Sequence, residues 1–524
     1  MTSMMQNSLK IELYEGYIRN RKKLCEELSL VPGKSREETE RAIIAAAFRR
    51  WGHSFCRHLF GAFCLVIRDE VSGELFCARD QLGLKSLFYY LTKDGTLLYG
   101  ASPGAVAEDK RYQPEPDLEA LQIYMMFGYP AGEKTLYKGI SKLPPGSCLL
   151  FRNGYTQIHE YDRLDFHPDY ARTEDDWIRD IESTLEKIIR EDQDNFSFGQ
   201  AGSFLSGGVD SSYLLALSGV RRTYGIGYEE ADCSETNLAG TTAAYLGAEF
   251  SEIRITADDF FRTLPEVIKG LGLPVADPSA AVFAMGCSRL AGLTDGPMLS
   301  GEGADEFLAG YHIYRRSDQL ALTGGPLHFG CAGTMDAEPA RQLLMLDRAF
   351  PCDGLVEDLY LRTESAEHLS RLLLIDLRLW FEGDILFCVD RASRAGGFDL
   401  LLPYADRRFF ELTSSIPSSM KLRDGVGKYI LRRAAEKKLP HETAFRKKVG
   451  FSVPVKDWLR QDEFRPGLEA VLFGPRSGQY FDRDLLRRYW QSFLGGSDGI
   501  WRIIYSAYVF LIWEVTFLAR NRMI

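Results

Sequence analysis

The chain has 524 residues, 45% hydrophobic and 26% charged. That composition excludes a disordered or fibrous protein and exceeds one ordinary core, so at least two domains are expected. A net charge of −10 without a long basic stripe argues against nucleic acid as a partner, and the N-terminus MTSMMQNSLKIELYEG has no apolar core of the signal-peptide kind. The ten cysteines have no CxxC or metal-like spacing and read as free thiols of a reducing cytoplasm.

In chain order, SREETERAIIAAAFRRWG predicts a helix with charges first and a glycine stop. FGAFCLVIRD, GELFCARD, SLFYYLT and TLLYGAS predict short strands. KLPPGSCLLFRNG reads as a loop, and DRLDFHPDYARTEDD as a linker near residues 160–175. DWIRDIESTLEKIIRED predicts a helix. SFGQAGSFLS, RTYGIGY and SEIRIT then alternate with helices, one starting at Ser211 and one running through TTAAYLG, and GPMLSGEG follows. This alternation predicts a parallel α/β sheet, and from about residue 340 the pattern turns helical. The most apolar stretch, residues 503–519, contains Glu514 and reads as a buried helix rather than a membrane span.

SGGVDSS, residues 206–212, falls where a strand should end and a helix begin. Its glycines let the backbone curl, and exposed N–H groups at a helix start favour an anion. Ser206, Ser211 and Ser212 add hydroxyl donors, while Asp210 reads as a Mg²⁺ ligand bridging to phosphate. The absence of a lysine excludes a GxxxxGK[ST] loop.

With YGIGYEE, ADPSA, LSGEGADEFLAGY, VDRASRAGGFDLLLPYAD, KYILRRAAEKKLP and FRKKVGFSVPVKDWL, the chain resembles the asparagine synthetase family, whose ATP pyrophosphatase loop SGGVDSS matches. LYEGYIRN, FGAFCLVIRD and CARDQLGLKSLFYY resemble its glutamine amidotransferase half. The resemblance implies an α/β protein of two parts. Residues 1–165 would be a degenerate Ntn-type αββα domain. Residues 175–524 would be a PP-loop (adenine-nucleotide α-hydrolase-like) parallel α/β domain with a helical C-terminal part.

It also implies an ATP- and Mg²⁺-dependent ligase that activates a carboxylate as acyl-adenylate, releases pyrophosphate, and lets ammonia or an amine attack. Asp210 and Asp305 would hold the metal, Lys448 would steady the developing charge, and Glu302 would be the general base. Leu205, Gly207, Gly208, Ile226, Gly227, Ser300 and Gly301 would join the serines around the nucleotide, and Asp277 and Ser279 would line the substrate pocket. A cytoplasmic homodimer without membrane contact is implied.

Three departures stand out. Glutamine-dependent members begin with a cysteine; here the first is Cys25, and about forty family residues ahead of Glu15 have no counterpart. The asparagine-glycine-glutamate element reads Glu15, Gly16, Tyr17, and an ionised acid cannot donate to an oxyanion. No glutaminase activity is therefore expected. Finally, Asp399, Leu400 and Leu401 stand where glutamate, alanine and arginine are usual, so the acid need not be aspartate. The alternatives are a lactam or macrolactam cyclase acting on its own substrate's amine, a peptide included, and a non-catalytic partner protein; tRNA thiolation by a pyrophosphatase-loop enzyme lacks the expected cysteines and basic surface. Retention of Glu302, a tyrosine in β-lactam synthetases, weighs against the first; five intact site residues weigh against the second.

Overall fold

The computed structural model describes residues 9–229, 235–316, 333–352, 354–362, 367–447, 450 and 452–518. The N-terminal strands are β1 (Leu9–Ile18), β2 (Gly61–Asp69), β3 (Leu75–Arg79), β4 (Phe88–Leu91), β5 (Leu97–Gly100), β6 (Ser141–Lys142), β7 (Ser147–Arg152) and β8 (Tyr155–Glu160). They form two antiparallel sheets, β1-β2-β3-β7-β8 and β5-β4-β6.

Alternation along β2 explains how the layers stack. Phe63, Leu65 and Ile67 pack on the helices Arg21–Glu27 and Arg36–Trp51, while Cys64 and Val66 pack on Leu87, Leu97 and Leu143. Beyond the small sheet, Phe88 and Leu98 share a core with the helix Leu118–Phe127. The result is the expected helix–sheet–sheet–helix order. Gly16 lies on β1 at φ +118°, and a Cβ there would meet the Ala62 carbonyl oxygen at 1.9 Å. Only glycine lets β1 close on β2 at this point.

The second sheet contains β9 (Gly202–Phe204), β10 (Arg222–Tyr228), β11 (Glu249–Ile255), β12 (Met298–Leu299) and β13 (Leu400–Leu401), all parallel, in the order β11-β10-β9-β12-β13. The chain first builds outward from β9 to β11, then crosses to β9's other side with β12. That reversal opens a crevice at the carboxyl ends of β9 and β12, where open α/β sheets bind ligands. The remainder is mostly helical apart from the hairpin β14 (Leu422–Arg423) and β15 (Val426–Gly427). The apolar helix Trp501–Phe517 is a core element. Tyr124 donates to the Ser506 carbonyl at 2.8 Å, and Arg476 holds the fully buried Glu514 at 2.8 Å.

Three local readings need correction. KLPPGSCLLFRNG is not all loop, because Ser147–Arg152 forms β7; its proline and glycine punctuation masked a short strand. LKIELYEGYI, unread from the sequence, is β1. The linker has no regular structure between Tyr161 and Thr173, yet it is docked. Leu164 and Phe166 are buried, Arg407 holds Asp162 at 2.6 Å, and the His167 N–H donates to the Ser414 carbonyl at 3.1 Å. The cysteines among the described residues are buried free thiols, as expected.

The docked linker covers Lys421, whose ammonium lies 4.8 Å from the centre of the Phe166 ring and is fully buried. Burial pushes Lys421 down to about 7, against a weak opposing pull from Glu367. Above that value the folded chain releases a proton that the unfolded chain keeps until near its ordinary 10.5. Stability is therefore expected to rise from pH 7 towards pH 10, by up to about 4 kcal/mol. Urea unfolding across that range tests this: the slope should vanish in Lys421→Met, which should also be more stable than the parent at pH 7.

Candidate functional site

A cleft of about 650 Å³ occupies the crevice. Its first wall is the turn after β9. Gly207 adopts φ +77°, and a Cβ there would lie 2.7 Å from the Ala239 nitrogen, so the turn requires glycine. Gly208 then caps the helix Val209–Ser218, a residue with no side chain to bond the first N–H groups. The N-terminus of a ten-residue helix at a cleft attracts anions. Ser206 and Ser211 lie with their hydroxyls 3.2 Å apart, and the Gly208 N–H donates to Ser206 at 3.3 Å. Arg446 braces the loop by donating to the Gly207 carbonyl.

The second wall is the turn after β12, which brings Ser300, Gly301, Glu302 and Asp305 to the cleft. Gly301 abuts the first turn of the neighbouring helix, where a Cβ would lie 3.2 Å from the Asp210 Cβ. Asp210 and Asp305 converge on one cation, the Lys428 ammonium, at 2.6 and 2.7 Å. Lys428 is buried and sits in the left-handed region at φ +55°, at the end of the β14–β15 hairpin. Burial opposes its charge, but the two carboxylates outweigh that and raise it above its ordinary value. Gly310 makes the approach possible, since a Cβ there would lie 1.8 Å from Asp305 Oδ1. Beneath them Glu306 accepts from the Tyr311 hydroxyl, and burial together with the adjacent Asp305 raises its carboxyl above the ordinary range.

Ile226, Tyr224 and Phe283 form an apolar side. The far end is acidic. Asp277 caps the helix Pro278–Leu290 through the Ser279 N–H at 2.9 Å, and burial raises its carboxyl. Asp384 accepts from Trp380 Nε1 at 3.0 Å, and burial together with Asp277 raises it strongly. Cys388 and Arg502 complete that end.

Of the sequence-derived residues, the structure brings Leu205, Ser206, Gly208, Asp210, Ser211, Ile226, Ser300, Gly301, Glu302, Asp305, Asp277 and Ser279 to one cleft. Gly207, Ser212 and Gly227 support its walls without lining it. Lys448 lies outside the described residues. Leu401 is buried on β13 beside Leu299, not on the cleft wall. Lys428, Arg432, Trp380 and Asp384 were not singled out; KYILRR carried the only sequence signal for the first two.

Residues 181–514 match the asparagine synthase family, and residues 2–162 match the glutamine amidotransferase domain. The chain belongs to the asparagine synthase family. Family membership makes it an enzyme of the C–N bond-forming ligase type. It is 28% identical to asparagine synthetase [glutamine-hydrolyzing] 1 of Bacillus subtilis, over 96% of this chain and 85% of the relative. A putative asparagine synthetase [glutamine-hydrolyzing] of Mycobacterium tuberculosis is also 28% identical, over 91% of this chain and 80% of its own length. Amidase chry2 of Gibberella zeae is 26% identical over 59% of this chain and 48% of its own length.

Two carboxylates aimed at one cation are a hard-oxygen pair that fits a divalent ion sharing them with phosphate oxygens. Among the described residues no three His, Cys, Asp or Glu side chains group as a metal cluster, so such an ion would complete its shell with oxygens beyond these two carboxylates, from water or phosphate. Removing the internal cation in Lys428→Met is expected to destabilise the fold by roughly 3–5 kcal/mol. Chemical denaturation checks this, and millimolar Mg²⁺ should recover part of the loss in Lys428→Met but little in Lys428→Met/Asp210→Asn.

Proposed function

We propose that this protein is an ATP-dependent, AMP- and pyrophosphate-forming amide ligase that makes an acyl-adenylate and passes the acyl group to ammonia or an amine. The observation that carries the reading is the convergence of Asp210 and Asp305, from two adjacent strand ends, beside a helix N-terminus. The triphosphate would lie on the turn of Ser206–Ser211, with the adenine against Ile226 and Phe283. Asp210 and Asp305 would hold Mg²⁺, which offsets phosphate charge. The substrate carboxylate would attack the α-phosphorus, and pyrophosphate would leave toward the loop. Glu302 would take a proton from the attacking amine, and Lys448 would steady the charge developing on phosphorus and then on the acyl carbon.

The far end supports a substrate group that donates hydrogen bonds, because burial raises the Asp277 and Asp384 carboxyls and Arg502 lies beside them. The amidotransferase-like part, residues 1–165, is proposed to lack glutaminase activity. Glu15 supports this, since its carboxylate is engaged by Arg394 and offers no N–H to an oxyanion.

The test is ATP–pyrophosphate exchange with Mg²⁺ over aspartate and a panel of other carboxylates. Asp210→Asn should abolish exchange, and Glu302→Gln should retain exchange but slow amide formation by about 10²–10⁴-fold. Exchange with aspartate, followed by asparagine on adding ammonia but not glutamine, fits the reading. Exchange with another acid alone would change the substrate. If ATP binds to the parent but not to Asp210→Asn and no small acid supports exchange, a peptide or other large substrate becomes the reading. Absence of both ATP binding and exchange would overturn it.

A further inference from the structure

One wall of the cleft is tied to the N-terminal half by buried ion pairs. Residues 368–396 form an unbroken helix whose middle, Leu377–Leu386, is a π-helix, a rare geometry that clusters at functional sites. One face presents Trp380, Asp384, Ile385, Cys388 and Val389 to the cleft. The other presents Glu382, Asp390, Arg391 and Arg394 to the N-terminal half. Glu382 pairs with Arg79 of β3 at 2.6 Å and with Lys142 of β6 at 2.7 Å. Asp390 pairs with Lys85, Arg394 with both Asp390 and Glu15, and Arg391 donates to the Ala101 carbonyl.

The pairs of Glu382 and Asp390 are sheltered from solvent, while the Arg394–Glu15 pair is partly exposed. Arg79, Lys142, Glu382 and Asp390 are all at most 5% exposed. Burial works against the charge of Glu382, but the Lys142 and Arg79 cations outweigh it and hold its carboxyl below the usual range. The same holds at Asp390, where burial is outweighed chiefly by Lys85 and Arg394. Helical periodicity then couples the two faces. Glu382 lies two residues from both Trp380 and Asp384, and Asp390 lies two from Cys388. A rotation of the helix that relaxed one ion pair would also move the wall.

We propose that Lys142, Arg79, Lys85 and Glu15 are positioning residues that fix the substrate-facing wall of the ligase cleft from the N-terminal half. The role of this half would then be to set the acid-binding geometry, independent of glutamine chemistry. The proposal rests on the ligase reading for the identity of the substrate, but not for the mechanical link.

The test uses the full chain with Lys142→Met, Lys85→Met and the conservative Lys142→Arg. Lys138→Met, from an exposed pair with Glu115, is the control. Hydrogen–deuterium exchange is followed by peptide, with Mg²⁺–ATP binding and aspartate-dependent ATP–pyrophosphate exchange measured in parallel. Exchange at 377–396 is expected to quicken at least tenfold in Lys142→Met and Lys85→Met, with 205–212 unchanged. The aspartate KM should rise about tenfold while the ATP KM moves less than twofold, and Lys142→Arg should restore both. Unchanged protection at 377–396, or loosening spread evenly over the chain, would overturn the proposal. So would equal loss of ATP and aspartate affinity. If aspartate supports no exchange even in the parent, the KM arm is run with the carboxylate that does, and the protection pattern together with ATP binding still decides the mechanical link.

Discussion

The Lys428 ammonium is the point on which the cleft's geometry turns. It draws together Asp210 from the turn after β9 and Asp305 from the turn after β12, while itself arriving on the β14–β15 hairpin. Without a cation between them, two half-buried carboxylates would repel and the turns would part. The backbone is shaped around this meeting. Ala309 and Lys428 both adopt left-handed conformations, and Gly310 and Gly427 remove side chains that would otherwise strike Asp305 and the Ala309 carbonyl. Strain of this kind persists only where surrounding contacts enforce it.

The cleft interleaves opposite charges. Lys428, Arg432 and Arg446 stand among Asp210, Glu302 and Asp305 at one end, and Asp277 and Asp384 stand with Arg502 at the other. Burial raises the Asp277 and Asp384 carboxyls, so that end offers hydrogen-bonding groups rather than a strong negative field. The apolar side formed by Ile226 and Phe283 adds no competing charge.

Much of this arrangement was legible in the sequence because turns advertise themselves. SGGVDSS and SGEGAD carry glycine, serine and acid at fixed offsets, and the βαβ alternation around them placed both at strand ends. β1 was missed because its glycine and charges interrupt the apolar run, and β7 because Pro144, Pro145 and Gly146 precede it. Lys428 was missed because a lysine opening a basic helix ordinarily belongs to the surface; only the fold shows it turned inward. Asp384 and Trp380 were hidden for another reason. A π-helix shifts the periodicity that would have identified a cleft-facing stripe, and the partners on its other face lie some 240–305 residues away.

The interface has a consequence for how such a chain can change over time. Neither half is electrically self-contained: Glu382 and Asp390 lie in one, while Arg79, Lys142 and Lys85 lie in the other. Each half is free to vary at its own pocket but not along the seam. Deleting the N-terminal half whole would strand buried anions in its neighbour, so it is held in place as a counter-charge whatever chemistry it performs.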